Sequence, residues 1–158
     1  MTKLGKGEFA LTYNEANTFM GGTEIQDGTV SVSNSDSLST GLVKFDSTNG
    51  TPALKTLACV DIQNTIDISD CTAILIATAP TTLSGLLSTT TASILNVTGG
   101  QEANFIGDQS TAFKVVVSGE ATRVPIGDNF KEGTTFTYGE GTIISSHVHY
   151  IPYQIFIG

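Results

Sequence analysis

The 158-residue chain has no tryptophan, two cysteines, two histidines, four prolines and seven basic residues. Each shortage removes a class of function. Lys3, Lys6, Lys44, Lys55, Lys114, Arg123 and Lys131 are scattered against 15 acidic residues, for a formal net charge of −8. They build no phosphate-binding face, so nucleic acid is not an expected partner. No run approaches the ~18 uninterrupted apolar residues of a membrane span, and no membrane insertion is expected. The opening MTKLGKGEFALTY lacks the apolar core of a signal peptide. The expectation is a chain made in the cytosol, or one whose signal has been removed. Cys59 and Cys71 are too few for a disulfide scaffold or a zinc knuckle. A bond between them requires that their segments stack, and two small buried thiols are the simpler expectation. No helix-length window carries apolar residues at i, i+3, i+4 and i+7.

What is present is Ser, Thr, Gly and Asn around short apolar runs, with a hydrophobic fraction of 39% that excludes disorder. Between Gly5 and Asp46 three runs alternate with period two: Phe9, Leu11 and Tyr13; Val30 and Val32; Val43 and Phe45. Such alternation between turn residues predicts half-buried strands. Further strands are predicted at Leu54–Leu57, Val60–Ile62, Ile66–Ile68, Ala73–Ala77, Thr82–Leu87 and Ala92–Val97. The continuous AILIA run at 73–77 reads as a strand covered on both sides. Beyond Gly99-Gly100 the spacing lengthens, with strands at Phe113–Val117, Thr134–Tyr138, Thr142–Ser146 and His147–Ile157. Ser118-Gly119, Gly127-Asp128-Asn129 and Gly139-Glu140-Gly141 between them suit hairpin turns. The fold class is therefore all-β. Residues 1–98 read as a repeat-like β-solenoid region and residues 99–158 as an antiparallel β region, or the two as one continuous domain, with a single β-sandwich or jelly roll as the alternative. Phe9, Tyr13, Phe45, Phe113, Phe136 and Tyr138 are the aromatic core candidates.

Residues 5–90 resemble the autotransporter-associated β-strand repeat of bacterial surface proteins. The likeness rests on Gly7-Glu8-Phe9-Ala10-Leu11-Thr12, Ala16-Asn17-Thr18-Phe19, Gly21-Gly22-Thr23, Ile25, Gly28-Thr29-Val30-Ser31-Val32 and Leu38 through Gly41, Val43 and Phe45-Asp46. It continues more faintly through Val60–Ile68 to Thr82–Leu86. The resemblance implies a right-handed parallel β-helix. The family repeats such units many times, whereas this chain has one good copy. A short solenoid cannot bury its faces alone and exposes strand edges, so a homo-oligomer is expected, three-fold by preference.

His147-Val148-His149 holds both histidines of the chain, at i and i+2 of a strand pattern. In a trimer, six imidazoles around the axis would suffice for an octahedral transition-metal site. The motif is similar to the His-x-His of trimeric phage tail spikes and fibres, which implies an axial iron ion. The bland alternative is a histidine pair on a surface strand. Tyr150, Ile151, Pro152, Tyr153, Ile155, Phe156 and Ile157 read as an apolar, proline-bearing edge suited to a neighbouring subunit, or as a terminal strand closing its own sheet. The acidic residues pair into no catalytic couple, and no nucleophile elbow, P-loop or metalloprotease motif occurs. The expectation is a non-enzymatic structural protein on a virion surface: a phage fibre, spike or head-decoration subunit, with other structural proteins of the particle as partners. A fragment of an autotransporter passenger, acting as an adhesin or stalk on the bacterial cell surface, is the runner-up. A carbohydrate-active β-helix enzyme is the third reading.

Overall fold

Gly, Asn, Asp and Ser interrupt the apolar alternation so often that, among the described residues, no strand exceeds the six of Thr72–Ala77. A chain so punctuated must change direction every few residues, and it does so by winding. The computed structural model describes residues 1–13, 15–127, 129–146 and 154–157, and no helix occurs among them. Numbered in chain order, the strands lie on three faces. The long face stacks β2 (Glu8–Leu11), β4 (Gly28–Val32), β6 (Pro52–Thr56), β9 (Thr72–Ala77), β12 (Ile94–Thr98), β14 (Lys114–Val117), β16 (Thr135–Tyr138) and β18 (Gln154–Ile157). A second face stacks β1 (Thr2–Lys3), β3 (Thr23–Ile25), β5 (Val43–Phe45), β8 (Ile66–Asp67) and β11 (Leu87–Ser88). The third holds β7 (Val60–Ile62), β10 (Thr81–Leu83) and β13 (Ala103–Phe105), followed by β15 (Arg123–Ile126) and β17 (Ile143–Ser146). Every strand pairing among the described residues is parallel. Phe9, Val30, Leu54, Leu75, Val97, Val117, Tyr138 and Ile157 form one column, so each coil takes 19 to 24 residues.

The solenoid expected for the first part is therefore present, and it continues where antiparallel hairpins were expected. The strands β12, β14, β16 and β18 carry the long face straight on past Gly99-Gly100. Gly119 and Gly141 do adopt positive φ, at 85° and 77°. That conformation turns a coil onto its next face as readily as it closes a hairpin, which is why turn chemistry alone misled. The predicted strand over 82–87 is likewise two strands, β10 and β11, with a corner at Ser84–Leu86.

Inward residues of the three faces make one continuous core: Val30, Leu54, Leu75, Val97 and Val117 from the long face, Ile25, Phe45 and Leu87 from the second, Ile62, Leu83, Phe105 and Ile126 from the third. The AILIA strand is not covered on both sides. Ala73, Leu75 and Ala77 are buried, whereas Ile74 and Ile76 point outward and are partly exposed. Among the described residues the second face has no strand beyond β11, and in the later coils aromatic rings fill the space. Phe130 lies with its ring centroid 5.7 Å from Phe105, 6.4 Å from Phe113 and 4.8 Å edge-on to Phe136. Of the aromatic candidates, Phe45, Phe113, Phe136 and Tyr138 are buried, but Phe9 and Tyr13 are exposed on the first coil. Phe105 and Phe130 join the core instead.

Two local devices hold the winding. Where the third face meets the second, the chain corners at Gly41, Asn64, Gly85 and Gly107, one above the next. A Cβ on Gly107 would overlap the Gly85 carbonyl, and one on Gly85 the Asn64 carbonyl. Buried Asn64 fits the column because its amide donates to the carbonyls of Ser39 (2.9 Å) and Gly41 (2.7 Å). Buried Gln109 does comparable work where β11 has no full strand above it. Its amide donates to Gly107 O at 3.1 Å and its carbonyl accepts from Lys131 N at 3.2 Å. The third face also shows a break with a clear cause. Arg123 N–H bonds to Gln101 O at 3.2 Å, but the next residue on that side is Pro125, which has no N–H to continue the ladder. The sheets β7–β10–β13 and β15–β17 are therefore separate, joined by the bridge Glu102 to Arg123.

Candidate functional site

The long face is the most extended surface. Its outward rows follow from the register. One runs Glu8, Thr29, Ala53, Ile74, Asn96, Val116, Thr137, Phe156. On either side lie Ser31, Lys55, Ile76 and Thr98, and Thr72, Ile94, Lys114 and Thr135. Ile74, Ile76, Ile94 and Val116 thus gather in the middle strands, partly exposed, between polar strands. At the first-coil end Ser31 Oγ donates to Glu8, and Lys55 Nζ lies 3.4 Å from both Glu8 oxygens. The Ser31 hydroxyl bond, more than the Lys55 ammonium, holds the Glu8 carboxyl below its ordinary pKa. Apolar centre and polar surround is the composition of a contact surface between proteins.

The third face carries a shallow groove. One part, about 330 Å³, is lined by Cys59, Asp61, Pro80, Thr82, Glu102 and Asn104 among others. The next, about 430 Å³, shares Pro80 and Glu102 and adds Gln101, Arg123 and Ile143. Asp61, Thr82 and Asn104 stand in register across three strands. Glu102 is ion-paired to Arg123, and one Asp61 oxygen is buried without a hydrogen-bond partner. The two carboxylates are thus in unlike surroundings, one tied to a guanidinium and the other partly exposed with a single oxygen buried.

Of the predicted site residues, His147, His149, Tyr150, Ile151, Pro152 and Tyr153 lie outside the described residues. Ile155, Phe156 and Ile157 are on β18, which pairs in parallel with β16. Ile155 packs inward on the core; Phe156 ends the outward row and Ile157 the inward column, both exposed. No group of three or more His, Cys, Asp and Glu residues among the described ones could hold a metal ion. Both cysteines are free. Cys71 is buried, and that burial pushes its thiol pKa up; Cys59, expected to be buried as well, is exposed at the corner before β7. The sequence does not mark Ile74, Ile76, Ile94 and Val116 as outward, because an apolar run does not announce which of its residues face out. Their register with Asn96 and Thr137 was the missing signal. No protein-family model, no curated protein and no solved structure matches the chain.

Proposed function

We propose that the chain is a non-enzymatic structural protein of an extracellular particle, of the phage fibre, spike or head-decoration kind, that works by self-assembly and surface attachment. The observation that carries this reading is the long face: eight parallel strands with Ile74, Ile76, Ile94 and Val116 turned outward in its middle. A face about 34 Å long and 16 Å wide, from strand spacing and rise, offers about 500 Å² to a partner. Two such faces together bury about 1,000 Å², the lower bound for a specific association, and a trimer that adds a second contact per copy exceeds it. Copies of the chain are the partners this reading expects first, with other particle proteins beyond them.

Sedimentation equilibrium tests it. A stable trimer or higher assembly is expected, with Ile76→Lys plus Val116→Lys reducing it to single copies of unchanged circular dichroism. A single-copy mass at the highest attainable concentration would overturn the self-assembly reading.

A further inference from the structure

We propose that Asn49 is a site of spontaneous deamidation in the folded protein, reacting through its own backbone with water as the only co-reactant. The Gly50 nitrogen attacks Asn49 Cγ, the Cγ–Nδ2 bond breaks, and ammonia leaves with the proton that Gly50 N gives up. Water then opens the cyclic imide at either carbonyl, which yields aspartate or isoaspartate.

The fold singles out this asparagine. Asn17, Asn34, Asn64 and Asn129 each donate their amide to a backbone carbonyl: Ser37, Tyr13, Ser39 with Gly41, and Phe105 respectively. Asn96 and Asn104 are fixed inside strand ladders. Asn49 is exposed in the turn before β6, and among the described residues its amide donates only to the Gln26 side chain, at 3.4 Å. It is also the one asparagine in the sequence that a glycine follows. A side chain on the following residue would shield the attacking nitrogen, and here the fold forbids one. The carboxylate of Asp27 lies where a Cβ of Gly50 would be, held there by the N–H groups of Gly28 (2.9 Å) and Thr51 (3.1 Å). Packing at this corner therefore imposes the least hindered neighbour on the least restrained amide. Among the described residues the Gly50 N–H has no acceptor that would hold it back from the attack.

The product adds a negative charge to a chain already at −8, beside Asp27. The isoaspartate form also inserts a methylene into the backbone just before Thr51, whose N–H seats on Asp27. To test this, the intact chain is incubated at physiological pH and temperature, sampled over time, and mapped by peptide mass spectrometry with isoaspartate detection. The expected result is exchange of –NH2 for –OH at Asn49 ahead of every other asparagine, as a more acidic species on ion exchange that is lost in Asn49→Gln. The proposal is overturned if Asn49 keeps its amide in the folded chain while the urea-unfolded chain loses it, or if another asparagine reacts first.

Discussion

Tyr138 offers the sharpest test of how the later coils are packed. Its ring is 1% exposed beside Phe136, and its hydroxyl donates to Val124 O at 2.6 Å. Replacing it with phenylalanine removes that bond and little else, at a cost of about 1 kcal/mol at neutral pH. Burial also pushes the phenol pKa from 10.0 up to about 12. The sign follows from which state gives up the proton first. Below pH 10 the phenol is neutral in both states and contributes nothing to the pH dependence. Between pH 10 and 12 the unfolded chain ionises while the folded one holds its proton, so native stability falls by about 1.4 kcal/mol per pH unit, about 3 kcal/mol in all. Tyr138→Phe lacks this loss. Urea midpoints for the two proteins, measured side by side, should therefore favour the native protein by about 1 kcal/mol at pH 7 and cross near pH 11. Every other group is common to the two proteins and cancels in the difference. A gap that stays constant from pH 8 to about pH 12 would refute the burial of this ring and, with it, the aromatic filling of the later coils.

Four further outcomes are expected. Cys59 should react at once with an aromatic disulfide reagent in the native protein, whereas Cys71, buried and with a raised thiol pKa, should react only on unfolding. Asn64→Ala leaves the Ser39 and Gly41 carbonyls without their donor inside the corner column and should cost about 2 kcal/mol by urea denaturation. Thr82→Ala, on the outward row of β10, should stay within about 0.5 kcal/mol of the native protein by the same measurement. Ala121 sits at φ 61°, so Ala121→Gly should raise the melting temperature, with a gain of about 0.5–1 kcal/mol.

The winding was legible in the sequence and its continuation was not. Phe45, Val30 and Val32 declared their strands because alternation and turn residues agreed on both sides. The segment Arg123–Ile126 did not read as a strand, since Pro125 sits in its middle. Only the structure shows that the strand survives by pairing with β17 on its other side, while the missing N–H leaves a gap in the ladder toward β13. Gly139-Glu140-Gly141 read as a hairpin because glycine reports the local dihedral angle, not where the following strand lands. Ile74 and Ile76 read as core from the sequence, since a run of five apolar residues hides its own two-sidedness. The polar corners were the hardest to foresee. Asn64 and Gln109 look like ordinary loop residues until the carbonyls of the coil below are placed beneath them.

Because each coil is bonded only to the coils just before and after it, this molecule behaves as links in series. Harm done to one link is not shared by the far end, and a pull along the axis would be resisted by whichever junction is weakest. On the third face that is the step at Pro125, where the ladder already lacks a rung.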